Sequence, residues 1–336
     1  MAYGSIAVDT ITSSTGVLNT PSINSVNTFG FKNRVINGAM VIDQRNAGVA
    51  VTTNDAFPVD RFKLSFANST GAFSAQQTTI APAGFSNSIK YLTTTADVSQ
   101  ATNEYATLYH VIEGLNTVDL AWGTVNAATV TISFWCRSSI TGIFGGSLRN
   151  SGGTRSYPFS YTIFAANTWE YKTITVPGDT SGTWLTTNGA GIYINFGMGT
   201  GATLSGTADL WTSANYISAT GTVNLLATLN ADFYLTGVQL EKGPVATGFD
   251  FRDSASELQL CQRYYEPRSV YSYAKGTEYN TQGWGFVAQY STKRATPTLT
   301  CTAAFTNPTS RVTTTAAIIT SAAAIDGGRL FVSAEL

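Results

Sequence analysis

The chain has 336 residues, with 19 Lys and Arg against 20 Asp and Glu, so its formal net charge is -1. Charged residues make up 12% of the total, about half the ~25% of an ordinary soluble domain, and with no basic run this excludes an electrostatically driven nucleic-acid binder. A 43% hydrophobic content excludes a solvated disordered chain, no apolar run is long enough to span a membrane, and the length points to one large domain with at least one smaller one.

Residues 1–30 are rich in Thr, Ser, Asn and Gly, with single, spaced apolar residues such as Ile6, Val8, Ile11, Val17, Leu18, Ile23 and Val26. That is too little to build a core. It suits either an extended arm that gains burial from another chain or a docking surface, or a mobile tail. The opening MAYGSIAVDT lacks the basic and apolar regions of a classical signal peptide.

From residue 31 the pattern turns to strands. In Val130-Thr-Ile-Ser-Phe-Trp-Cys136 the apolar residues alternate, so one face is buried and the other carries polar groups. Ile192-Tyr-Ile-Asn-Phe-Gly-Met198 repeats the pattern, and Trp169–Val176 does so more weakly. Phe233–Glu241 starts in one phase and resumes in the other, with Gly237 as the bulge that flips it. Turn clusters such as Asn68–Gly71, Asn150–Gly153, Pro177–Gly182 and Gly197–Gly201 separate these runs. Many short strands without helical periodicity predict an all-β sandwich over 31–253.

One helix is expected over 254–267. Ser254-Ala-Ser-Glu257 reads as a capping box, Leu258, Cys261 and Tyr265 fall on one face, and Pro267 stops it. Residues 268–336 read as a small C-terminal β domain. Its candidate strands are Trp284–Tyr290, Thr298–Cys301, Val312–Thr315 and Leu330–Leu336, the last entered through a Gly327-Gly328 turn. A unit of this size with few large side chains favours stability through oligomerisation.

Catalytic chemistry is thinly represented. The single histidine, His110, lies in a strand-like apolar context and no G-x-S-x-G elbow occurs, so it reads as a core histidine. Glycoside cleavage needs two facing carboxylates. Glu104, Glu113, Asp119, Glu170 and Asp209 are available, but the sequence does not say which of them meet. Gly197-Met-Gly-Thr-Gly201 lacks the Lys-Ser/Thr of a phosphate loop and reads as a wide turn. Cys136, Cys261 and Cys301 are odd in number and far apart, giving neither a disulfide framework nor a zinc spacing. No cofactor is expected. A structural Ca²⁺ could be held by Asp and backbone carbonyls, but no loop places one.

The aromatic residues are more informative. Six Trp and 16 Tyr are present, and Trp122, Trp135, Trp184, Tyr193, Trp211 and Tyr216 sit beside turns or in the polar phase of a strand. Sugar rings stack on such side chains, while Asn, Thr and Asp bind their hydroxyls. The uncharged polar surface fits a neutral glycan. The competing reading is that these rings pack cores and subunit contacts.

Three segments carry a resemblance. Asn33-Arg-Val-Ile-Asn-Gly-Ala-Met-Val-Ile-Asp-Gln-Arg45, followed by Val59-Asp-Arg-Phe62, resembles an N-x-x-I-N-G-x-M-x-I-x-Q-R opening with a later D-R-aromatic. Phe233–Phe249 is similar to the closing strand of carbohydrate-binding-module-like jelly rolls, and Glu257-Leu-Gln-Leu-Cys-Gln-Arg-Tyr-Tyr265 resembles the helix that follows them. Ser133–Arg137 resembles that module's central strand. Together they resemble structural proteins of tailed bacteriophages, especially tail fibres and related appendages. Beyond the helix, only Lys293-Arg-Ala-Thr-Pro297 and the final Ala-Glu-Leu336 match.

The resemblance implies a jelly-roll sandwich, a homotrimer and a place on the virion. It implies structural roles for Arg45, Asp60, Arg61, Gln239, Glu241 and Arg263, as polar groups in buried hydrogen-bonded pairs. The expectation is a non-enzymatic tail-fibre subunit that docks on other virion proteins through 1–30 and attaches to host-surface glycan, with avidity from several weak sites. Two alternatives are a capsid decoration, cement or head-fibre protein with a purely structural role, and a glycan-depolymerising tailspike.

Overall fold

The computed structural model describes residues 32–270, 284–301, 312–321 and 328–336. The arm expected over 1–30 lies outside the described residues. In chain order the elements are β1 (Phe62–Ala67), β2 (Ala72–Thr78), β3 (Ser88–Thr95), β4 (Tyr105–Glu113), β5 (Val130–Ser138), β6 (Gly142–Arg149), β7 (Ser156–Ile163), β8 (Glu170–Val176), β9 (Ala190–Thr200), the two-residue β10 (Ser205–Gly206) and β11 (Ser218–Ala219), and β12 (Asp232–Lys242). Helix α1 (Ser254–Gln262) follows, then β13 (Tyr265–Val270), β14 (Trp284–Gln289), β15 (Thr298–Cys301), β16 (Ala316–Ser321) and β17 (Gly328–Ser333).

Two five-stranded antiparallel sheets form a jelly-roll sandwich. One has the order β2-β3-β12-β5-β8 and the other β1-β4-β9-β6-β7. The alternation seen in the sequence explains the packing. Val130, Ile132, Phe134 and Cys136 of β5 point inward, and so do Ile192, Ile194, Phe196 and Met198 of β9. Phe62, Leu64, Phe144, Phe159 and Phe233 complete the layer between the sheets. Fully burying a side chain of this size contributes about 1.5–3 kcal/mol, so this layer is the main source of stability. His110 belongs to the same interior, with its ring 4.9 Å from that of Phe62. Burial, assisted by Arg61, holds its imidazole neutral, well below the usual histidine range. Cys136 is a buried free thiol that burial pushes up to about 12.

β12 carries an irregularity that joins the opening motif to the last strand of the sandwich. Its register with β5 shifts between Thr236 and Gln239, and Gly237 has φ 62°. That left-handed conformation costs a glycine little and other residues more. The ladder with β3 ends at Leu235. Beyond the bulge, the opening motif takes the vacated edge: Val238 N donates to Gly38 O at 2.9 Å, and Leu240 N to Asn33 Oδ1 at 3.3 Å. A Cβ on Gly38 would run into the Val238 carbonyl oxygen.

Helix α1 departs from the expected cap. Its N-cap is Asp253, whose carboxylate accepts from the Ala255 and Ser256 amides at 3.1 and 3.0 Å. Glu257 does not reach back to Ser254, because the buried Asn37 amide and Arg252 recruit its carboxylate instead. The helix ends at Gln262, and Pro267 lies in β13. β13 is an edge strand, where proline is tolerated. Tyr264, rather than Tyr265, joins Cys261 and Ile36 in a small core.

The C-terminal unit consists of a β13-β17-β15 sheet and a β14-β16 pair, with Ala288, Tyr290, Leu330 and Val332 between them. The strand expected at Val312–Thr315 instead begins at Ala316.

Candidate functional site

The outer face of the β1-β4-β9-β6-β7 sheet holds a cleft of about 280 Å³. Its floor follows from strand alternation. Since Ala106, Leu108 and Ile112 point inward from β4, Tyr105, Thr107 and Tyr109 point outward. On β9 the outward residues are Tyr193 and Asn195, and Arg149 closes β6 directly opposite Tyr193. The segment between β9 and β12 folds back over this face and supplies Leu204, Asn215 and Ile217 as a wall.

The tyrosine rings are neighbours, Tyr109 and Tyr193 lying 5.8 Å apart at 39°. The Arg149 guanidinium lies 5.0 Å from the Tyr193 ring centre, and its Nη1 donates to Asn215 Oδ1. Lys63 sits 5.8 Å from the Tyr109 ring and pairs with Asp55 at 3.0 Å. Asn195 donates through Nδ2 to Ser147 Oγ at 3.1 Å, while its buried Oδ1 has no partner among the described residues. The Tyr105 hydroxyl is 3.4 Å from Ser65 Oγ. Burial raises the Tyr109 hydroxyl above its ordinary value, against the pull of Lys63. Burial lowers Arg149, while Tyr193, Tyr109 and Tyr105 act to raise it. Ring faces, a guanidinium and an unmet carbonyl oxygen thus converge on one open space, the mixed lining of a small-ligand site.

Of the six aromatic residues singled out in the sequence, the structure places Tyr193 in this cleft. Trp122, Trp184 and Trp211 come together elsewhere, in edge-to-face contact at 4.7, 5.4 and 5.6 Å. Their indole N–H groups donate to Ala128 O, Ser181 O and Pro177 O. Trp122 is 7% exposed and its faces are taken by the other two, so this trio packs a core edge. Trp135 lies on the outer face of the opposite sheet, across from Tyr171 with ring centres 5.4 Å apart. The Tyr216 ring lies against Gly206, where a Cβ would meet it. Tyr105, Tyr109, Arg149 and Asn195 were not singled out. The usable signal was the i, i+2, i+4 spacing of Tyr105, Thr107 and Tyr109 in the outward phase of β4.

The six polar motif residues all enter buried or half-buried networks, most of them in a seam where the jelly roll meets α1 and the C-terminal unit. Arg45 pairs with Asp60 and with Glu335, each at 2.7 Å, and lies 3.6 Å over the Tyr265 ring. Arg61 pairs with the other oxygen of Glu335, donates to Val111 O at 2.7 Å and lies 3.5 Å over the Tyr264 ring. Arg263 holds Glu113 through two bonds of 2.9 and 2.6 Å, and Tyr264 Oη adds a third at 2.7 Å. Burial acts to raise Glu113, but Arg263 and Tyr264 outweigh it and hold the carboxyl below its ordinary range. Gln239 and Glu241 pin the loop after β12: Glu241 accepts from Gln239 Nε2, Thr247 N and Thr247 Oγ1, and Gln239 accepts from Asp250 N. Lys293, fully buried, reaches Glu266 at 3.0 Å.

The candidate acids are dispersed. Glu113 and Asp119 are held by Arg263 and Arg34, Glu170 pairs with Lys172, and Glu104 accepts from the Ala101 amide. Among the described residues no carboxylate lines the cleft. Among the described residues, no group of three or more His, Cys, Asp or Glu side chains could hold a metal ion.

No protein-family model and no curated protein matches this chain. Similar solved structures include the enzymatically active domain of tailspike protein 4 of bacteriophage CBA120, at 12% identity and a TM-score of 0.33. That alignment covers 63% of this chain and 21% of the tailspike chain. A family 11 carbohydrate-binding module of a Clostridium thermocellum cellulase aligns at 12% identity and a TM-score of 0.30, over 60% of this chain and 100% of the module. The N-terminal cellulose-binding domain of Cellulomonas fimi β-1,4-glucanase C aligns at 14% identity and a TM-score of 0.30, over 60% of this chain and 99% of its own.

Proposed function

We propose that this chain is a non-enzymatic bacteriophage virion protein, a tail-fibre subunit that attaches to host-surface glycan through the tyrosine-lined cleft. The cleft carries the reading. Tyr109 and Tyr193 offer ring faces to the C–H face of a sugar, and Asn195 Oδ1 offers a hydroxyl an acceptor. The place on the virion is supported by the resemblance of residues 33–45, 59–62 and 233–265 to phage appendage proteins. In this reading the chain forms a homotrimer, residues 1–30 dock it to other virion proteins, and several weak sites act together. Hydrolysis by paired acids is disfavoured because no described carboxylate lines the cleft.

The test is binding of the purified full chain to host cells and to a glycan array, with mass photometry on the same sample. Trimers that bind, and that lose about tenfold or more in affinity on Tyr109→Ala or Tyr193→Ala, uphold the reading. Trimers blind to both cells and glycans overturn it in favour of a capsid decoration or other purely structural role.

A further inference from the structure

Taking the cleft to be the glycan site, we infer that the sugar it takes is anionic, its acidic substituent seated on the Arg149 guanidinium. This departs from the neutral glycan that the overall composition suggests, and it rests on how Arg149 is left. Among the described residues its guanidinium has one hydrogen bond, Nη1 to Asn215 Oδ1. Its Nε, like those of Arg61 and Arg294, is shut away from solvent without an acceptor among the described residues, so the difference lies in the charge partner. No described carboxylate acts on its charge, only the hydroxyls of Tyr193, Tyr109 and Tyr105.

Three other sheltered arginines of this chain are treated differently, while Arg294 is held by the Asn188 and Glu335 backbone carbonyls. Arg45, Arg61 and Arg155 each hold a carboxylate within 2.7 Å or less. A cation partly withdrawn from water without a counter-charge bears part of its desolvation cost unreturned. Stacking on Tyr193 returns only part of that cost. An arriving anion supplies the rest. The neighbouring groups say what carries it. Ring faces on Tyr193 and Tyr109 and a lone acceptor on Asn195 suit a sugar ring with hydroxyls, which a bare inorganic anion would leave unused. Lys63, 5.8 Å from the Tyr109 ring, already pairs with Asp55, so Arg149 is the lining residue left to take one acidic group. The acid can be a sugar carboxylate or a sulfate or phosphate ester. All three present oxygens to a guanidinium, and the flat carboxylate matches its fork best.

The experiment is an array of neutral oligosaccharides beside the same backbones bearing carboxylates or sulfate or phosphate esters, probed with the labelled full chain and with Arg149→Gln, Arg149→Lys and Tyr193→Ala. Thermal melts show which variants fold. The expected result is wild-type preference for an acidic form over its neutral counterpart by about tenfold or more, the scale of one charge-assisted contact. Arg149→Gln abolishes that preference, Arg149→Lys keeps part of it, and Tyr193→Ala weakens acidic and neutral forms alike. The carboxylate and ester arms identify the acid. Equal binding of neutral and acidic forms, or a preference that survives Arg149→Gln, overturns the inference while leaving the cleft as the glycan site. No binding by any form overturns both.

Discussion

Arg61 lies 3.5 Å over Tyr264 in the seam, and Arg149 lies 5.0 Å over Tyr193 in the cleft. The two stacks share a chemistry and differ in what surrounds it. In the seam the guanidinium also has Glu335 and the Val111 carbonyl, and next to it Arg45 has Asp60, Glu335 and the Tyr265 ring. Among the described residues the cleft offers Arg149 one amide oxygen on an exposed loop and no carboxylate. A charge-paired network of this kind fixes how segments distant in the sequence sit together. A cation left short of partners at an open cleft is poised for something else. The stacked residue types are alike in the two regions, the seam is the more deeply buried, and the charge partners separate structure from recognition.

The sharpest way to break this comparison is Glu335→Ala. It strips a counter-charge from both Arg45 and Arg61, whose side chains are 13% and 2% exposed. Removing one partner of a buried pair typically costs about 3–5 kcal/mol. Urea unfolding of the variant is expected to show a loss of that size, and a loss under about 1 kcal/mol would mean the seam is not held by its charges.

Next in size is a pH effect at Asp60. Burial pushes its carboxyl up to about 6, against Arg45 and Gln44, which act to lower it. A carboxyl with a folded value above its ordinary 3.8 binds its proton more tightly in the folded chain. Its contribution is therefore full below about 4 and is lost as pH rises through about 6. At ~1.4 kcal/mol for each pH unit, this comes to about 3 kcal/mol. Wild-type stability relative to Asp60→Asn is expected to rise by about that much between pH 7 and pH 4. A pH-independent difference would mean Arg45 neutralises Asp60 outright.

Much of the seam was legible in the sequence, and the cleft was not, for a physical reason. Buried polar networks need specific residue types at specific places. Asn33, Asn37, Gln44, Arg45, Asp60, Arg61, Lys293 and Glu335 all fall inside the segments that carry the resemblance. Alternation likewise fixes which residues of β5 and β9 face inward. It does not say which outward face is open, so Trp135 and Tyr193 look alike in sequence although one meets Tyr171 and the other lines the cleft. The Trp122, Trp184 and Trp211 cluster joins positions far apart in the chain, and Arg149 reads as an ordinary strand end before a turn. At α1, Asp253 and Ser254 are adjacent residues of equal capping ability, and long-range recruitment of Glu257 by Asn37 decides between them. Asp253→Ala is thus expected to speed hydrogen exchange at the Ala255 and Ser256 amides, and Ser254→Ala to leave it unchanged. The reverse result would restore the capping box.

The smallest expected effect is the most telling. Arg149→Met removes a half-buried charge that leaves no carboxylate behind, and a thioether packs well against the Tyr193 ring. Replacing such a charge with an apolar side chain of similar length is often neutral or stabilising, so the change in unfolding free energy is expected to stay within about 1 kcal/mol. Arg45→Met is the matched control, because it strands Asp60 and half of the Glu335 pairing and should cost several times more. A chain that tolerates Arg149→Met but not Arg45→Met keeps Arg149 for a ligand. If the two cost the same, Arg149 is one more strut of the sandwich, and the distinction between seam and cleft falls.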